Sequence, residues 1–303
     1  MIPKQVTFKN IGSYWMVYLL LLLPLTLTLI FDYHTFIDGM VHMFYRWDGN
    51  TVEEFIGLEN FRKLFHDKEF LQSILVVVIL TAANVFKMIV PITVAVILHH
   101  IRCKWAAGFY RMMLVIPMIV PVMVTLLMWK YFYEPHSGLL NILLRDFGIL
   151  ARTDSIQWLT DPYLVIPSLI FMGFPWVGVF GVLIYLAGLQ KIDPGIYEAA
   201  ELDGAGGMCI FWRIELPMLM TQVRINLILM VIDTVQSWEN IYLFLGPDGG
   251  PGGIATVPGL LIFRQAFSNG LFGYGCAIGF VIFAVTLILT FINDKFIRLR
   301  RVK

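Results

Sequence analysis

The chain has 303 residues, 58% of them hydrophobic and only 14% charged, with a formal net charge of +1. A soluble domain carries about 25% charged residues, and one this apolar would expose large adhesive patches. Near-neutral charge without a basic stripe also argues against a nucleic-acid-binding protein.

The apolar residues fall into six long blocks, at 13–31, 71–98, 107–129, 164–187, 216–236 and 271–292. Each is close to the roughly 20 residues a helix needs to cross a bilayer. Backbone groups in hydrocarbon must bond within their own segment, and none of the blocks alternates as a barrel strand would. The expectation is an all-α, polytopic membrane protein with six transmembrane helices and no separate soluble domain.

Taken in chain order, the first block follows Lys4 and Lys9. Its length and the lack of a small-residue cleavage pattern at 31–34 make it an uncleaved span rather than a signal peptide. The outer segment 32–70 holds Tyr45 and Trp47, which predict a small interfacial helix at headgroup depth. The second block contains Asn84, Lys87 and Pro91 and ends at the interfacial pair His99 and His100. Pro117 and Pro121 in the third block, and Pro167 and Pro175 in the fourth, predict kinks or local openings. A second outer segment, 131–163, carries Trp158.

The inner segment 188–215 is too long for a simple hairpin connection. Asp193 can cap a helix there, Pro194 suits its first turn, and Ala199 and Ala200 favour helix. Gly204, Gly206 and Gly207 then bend the chain before a second short amphipathic stretch. This predicts a docking element of two short helices on the cytoplasmic side. The sequence GPDGGPGG at 246–253 lacks the GxxxxGK[ST] pattern and reads as a flexible turn. The tail carries Lys295, Arg298, Arg300, Arg301 and Lys303, which places both termini in the cytoplasm by the positive-inside rule. Cys103, Cys209 and Cys276 are scattered and read as free thiols.

Polar residues at membrane depth are costly and usually face a protein interior or a water-lined path. In the fifth block Asn226, Asp233 and Gln236 fall near one helical face. Two readings stand: a translocation path lined by that face, or inter-helix bonding such as Asp233 with Lys87. No H-E-x-x-H, G-x-S-x-G or clustered metal-ligand pattern is present.

The stretch EAAELDGAGGMCIFWRIELP resembles the signature loop of the membrane subunits of bacterial ABC importers. That pattern is E-A-A, three residues, G, nine residues, I, one residue, L-P. It is met by Glu198, Ala199, Ala200, Gly204, Ile214, Leu216 and Pro217. The segments FIGLENFRKLF and FRQAFSNGLFGYGCAIGFVIF resemble the maltose- and multiple-sugar-type branch of that family. Asp32-Tyr33-His34 departs from the Tyr-Pro pair such subunits often carry after the first span.

The resemblance implies a type I importer permease fold in a bacterial cytoplasmic (inner) membrane. It implies a second permease subunit, two cytoplasmic ATPases and an extracellular or periplasmic sugar-binding protein as partners. The loop would form coupling helices seated in a cleft of the ATPase, with Glu198 making a polar contact and Gly204 the bend. ATP and magnesium would bind the ATPases, leaving this chain without a cofactor and without catalysis of its own. A permease of the same machine for a non-sugar solute is the nearest alternative. A secondary transporter is further off, since no inverted repeat is visible.

Overall fold

The computed structural model describes residues 15–296. The basic residues before and after them, which carried the expected orientation of the termini, lie outside the described residues. Three helices are each long and apolar enough to cross a membrane unaided: Trp15–His42, Lys68–His100 and Phe272–Ile292. The other apolar blocks are bent or interrupted, and the prolines and glycines within them explain where.

Helix α1 spans Trp15–His42 and widens into a π-turn at Leu29–His34. It therefore continues well past residue 31, where the apolar run stops. Its first half, Trp15–Thr28, buries no residue against the chain, so lipid or another subunit must cover it.

The predicted interfacial helix around Trp47 is instead a β-hairpin. Strands β1 (Tyr45–Trp47) and β2 (Val52–Phe55) pair antiparallel, with Tyr45 opposite Phe55 and a bulge between Arg46 and Trp47. Asp-Gly at the turn favours this fold. Asp48 Oδ1 accepts from the backbone N–H of Asn50 and Thr51, and Gly49 supplies a φ of 97°. Trp47 stacks on His42 at 4.2 Å, and Asn60 Nδ2 donates to the carbonyls of Met43 and Tyr45. The aromatic residues thus pack the hairpin onto the protein rather than into headgroups.

Helix α2 (Glu59–His66) leads into α3 (Lys68–Lys87), whose first turn is capped by Asp67. Pro91 cannot donate to the Lys87 carbonyl, so the ladder breaks at Met88 and α4 resumes over Ile89–His100. Helices α5 (Lys104–Val115) and α6 (Val122–Phe132) are separated by a 3₁₀ turn, Ile116–Ile119, and meet at 87°. Val120 is extended because Pro121 follows it. Helix α7 (Leu139–Asp146) lies in the second outer segment, where the Trp158 indole donates to Asn141 Oδ1.

The fourth block is not one helix. Helix α8 (Val165–Phe171) stops, and α9 (Val179–Leu189) begins after an irregular stretch at 172–178. Gly173, Trp176 and Gly178 there have positive φ, and the Phe174–Pro175 peptide is cis. The inner segment forms α10 (Pro194–Leu202) and α11 (Gly207–Met218), and α11 meets α12 (Met220–Gln236) at 64°. Helices α13 (Trp238–Leu245), α14 (Pro258–Phe263) and α15 (Phe272–Phe296) complete the chain.

The glycine-rich stretch between α13 and α14 is a packed turn rather than a loose one. Five of its glycines, 246, 249, 250, 252 and 253, have positive φ. A Cβ on Gly249 would come within 2.7 Å of Thr256 Oγ1, and Ala255, Thr256 and Val257 are buried.

Three apolar cores hold the described helices together, one of them joining Leu64, Phe70, Leu261, Tyr274 and Ile278. A second joins Val76, Leu126, Tyr133, Val165, Leu169, Phe244 and Leu260. The third joins Ala95, Leu98 of α4, Val182, Tyr185, Leu189 of α9 and Leu219 beside α12. In the third core, Gly181 lets α9 approach Pro91 closely, and a Cβ on Gly188 would stand only 2.8 Å from Leu219 and Gln222.

Candidate functional site

Two regions carry polar chemistry that packing alone does not require. The first is the inner segment. Asp193 caps α10 by accepting from the Gly195 N–H at 2.8 Å, and Pro194 occupies the first helical position. The helix ends in a Schellman motif, with Ala205 N–H donating to the Ala200 carbonyl and Gly204 N–H to that of Glu201. Gly204 takes φ 76°, which a side chain disfavours, although its Cβ position faces open space.

Helix α10 buries no residue. Glu198 and Ala199 are exposed, Ala200 is half-buried, and Leu202 is 90% exposed. Across the bend Met208 is 72% exposed. Ile214 and Leu216 are half-buried and Pro217 is exposed where the segment returns towards α12. This surface combines small and apolar residues with the exposed carboxylates of Glu198, Glu201 and Asp203, and it is not part of a core. Tyr197 faces the other way, packed against the inner core. Burial, reinforced by the Glu215 charge beside it, pushes the Tyr197 phenol far above its ordinary pKa, so it remains a hydrogen-bond donor.

The second region is an open groove of about 730 Å³ at membrane depth. Its polar lining is Asn84 and Lys87 of α3, Trp176 of the irregular stretch, and Asn226 and Asp233 of α12. Gln236 is exposed one turn further along and does not line it. Asn84 Nδ2 donates to Thr234 Oγ1 at 3.0 Å, which holds α3 against α12. Lys87 and Asp233 share the groove without forming an ion pair among the described residues, and Lys87 Nζ instead lies 5.7 Å from the Trp176 ring centre. Trp176 Nε1 is a buried donor with no partner among the described residues, whereas the Asn226 amide lies against the Tyr185 hydroxyl.

Of the three residues expected on one helical face, Asn226 and Asp233 line the groove and Gln236 does not, while Trp176 lines it without having been expected there. Irregular backbone at membrane depth is tolerated where it is buried in protein or lines a water-filled cavity. The clustering of Gly173, Pro175 and Gly178 was the available signal.

The chain is 33% identical over 248 residues to the trehalose/maltose transport system permease protein MalF of Thermococcus litoralis, covering 82% of this chain and 81% of that one. It is 30% identical over 276 residues to the diacetylchitobiose uptake system permease protein NgcF of Streptomyces coelicolor, covering 88% and 77%. Its fold matches a chain of a bacterial ABC transporter involved in the import of the acidic polysaccharide alginate, with a TM-score of 0.82 at 23% identity over 98% of this chain and 99% of that one. Residues 91–302 match the family described as binding-protein-dependent transport system inner membrane component. A match over that much of the sequence, with a permease fold throughout, makes the chain a member of the binding-protein-dependent transport system inner membrane component family.

Proposed function

We propose that this chain is the permease subunit of an ATP-driven carbohydrate importer and forms half of its translocation path. The observation that carries the reading is the groove. Lys87 and Asp233, with no ion pair among the described residues, converge with Asn84, Asn226 and the Trp176 ring at membrane depth beside broken backbone. Such a set suits a polyhydroxylated solute, which combines apolar ring faces with many hydrogen-bonding groups. The names of the relatives MalF and NgcF point to sugars as well.

In this reading six spans cover about 13–31, 71–98, 107–129, 164–187, 216–236 and 271–292, with both termini in the cytoplasm. The segment 188–215 is the coupling loop, and Glu198, Ala199, Ala200, Gly204, Ile214, Leu216 and Pro217 shape its contact with the ATPase. Exposed Leu202 and Met208 support this, because an apolar surface on a cytoplasmic element calls for a partner. A second permease supplies the other half of the path, two ATPase subunits bind and hydrolyse ATP with magnesium, and an external binding protein delivers the sugar. Asn226 and Asp233 line the path, with Gln236 near its outer end.

The test is uptake of a panel of labelled sugars by vesicles holding all subunits. ATP-dependent uptake of a sugar is expected. Uptake of peptide or metal ions, with no sugar taken up, would overturn the carbohydrate assignment.

A further inference from the structure

Glu215 is fully buried, at 0% exposure, although it occupies the one unspecified position between Ile214 and Leu216 of the signature. Its Oε1 accepts from His100 Nε2 at 2.8 Å and from the Tyr197 hydroxyl at 3.2 Å. Three elements therefore meet at one carboxyl oxygen: the inner end of α4, the coupling helix α10, and α11 itself. Glu215 also closes a π-turn, Phe211–Glu215, just before the 64° bend into α12. Wide helical turns of this kind are frequent at functional sites.

Nothing about packing demands a carboxyl group here. Its second oxygen, Oε2, is buried without a partner, which an apolar residue of similar size would avoid. Helix α10 meanwhile buries no residue as defined by its own span, so its tie to the membrane helices runs through Tyr197.

We propose that Glu215 is a positioning residue for energy coupling: by holding Tyr197 and His100 together at the bend, it makes the coupling helix and the second span move as one body. Displacement of the loop by an ATPase is thereby passed to α3 and α4, and α3 carries Asn84 and Lys87 to the groove. Without the contact the loop can still dock, but its motion dissipates at the bend. This deepens the permease reading and rests on it.

The experiment uses the complete complex, with both permeases, the ATPases and the binding protein, in vesicles. Solute imported per ATP hydrolysed is measured for the wild type, Tyr197→Phe, His100→Asn, the double variant, and Glu215→Gln. Tyr197→Phe removes one hydroxyl from a packed ring, so the complex should assemble. The double variant should import roughly tenfold less solute per ATP, the factor set by losing hydrogen bonds to a buried carboxyl group. Glu215→Gln keeps an acceptor oxygen and should retain most of the ratio. A wild-type ratio in the double variant would overturn the proposal, as would assembly falling in step with import while the ratio holds, since that marks a structural role. Should the wild-type complex itself show no hydrolysis stimulated by the loaded binding protein, the permease reading has failed instead.

Discussion

Asn84 and Thr234 join two membrane helices by a 3.0 Å hydrogen bond one residue away from Asp233, so the groove's two walls are fixed to each other at the point where its charges lie. Thr234 also donates to the Met230 carbonyl of its own helix, leaving its oxygen to accept from Asn84. Such bonds inside membranes contribute about 0.6 kcal/mol on average and up to about 1.7 kcal/mol. Asn84→Leu and Thr234→Val should each lower the thermal stability of the purified complex by this order. The double variant should lose less than the sum, and strict additivity in that cycle would show that the bond contributes nothing.

Asp233→Asn should reduce solute uptake several-fold while leaving subunit association intact, because Asp233 is exposed to the groove and, among the described residues, forms no ion pair whose loss would disturb packing. Lys87→Met should act in the same direction. Co-purification yields and uptake measured on one preparation separate the two effects. A collapse of assembly with normal uptake per assembled complex would make both residues structural.

Gly204→Val forces a β-branched residue to φ 76°, at a cost of about 1–2 kcal/mol. Because its Cβ position is open, the penalty comes from backbone conformation and not from a clash within the chain. Gly204→Asn, which tolerates this region, should keep more function. The measurement is ATP hydrolysis stimulated by the loaded binding protein, expected to rank wild type, then Asn, then Val.

Gly188→Leu should harm the fold itself. Its side chain would enter space filled by Leu219 and Gln222, where overpacking costs roughly 1–3 kcal/mol. A fall in melting temperature of the detergent-solubilised chain checks this. The same change at Gly148, which has open space but φ 71°, should cost less.

Topology is tested by single cysteines. Asn50 sits in the hairpin turn and Asp193 at the start of α10, and both are exposed. An impermeant thiol reagent should label Asn50→Cys in intact cells and Asp193→Cys only after the inner face is opened. Labelling of Asp193→Cys from outside would reverse the orientation.

Much of this architecture can be read from the sequence because apolar blocks and prolines report local physics. Pro121 forces Val120 to extend, and Asp193 with Pro194 announces a helix start. Pro175 announces an opening in the fourth block, but its extent over 172–178 is hidden, since Met172, Phe174, Trp176 and Val177 keep the stretch as apolar as a helix. The hairpin was masked in the same way: Asp48-Gly49 is a turn signal, but the flanking aromatic residues suit a membrane interface equally well. The groove's wall depends on helix rotation, which separates Asp233 from Gln236 and which spacing alone does not fix. Glu215 was invisible because its importance lies in what His100 and Tyr197, 115 and 18 residues away, bring to it.

In the proposed importer the groove and the loop form one working unit. Its most direct test is ATP-dependent uptake of labelled sugar in vesicles containing this chain, its second permease, the ATPases and the binding protein, comparing wild type with Gly204→Val and Asp233→Asn. Gly204→Val should lose binding-protein-stimulated hydrolysis together with uptake, whereas Asp233→Asn should lose uptake with less effect on hydrolysis. Sugar uptake at the wild-type rate in both variants would contradict the account.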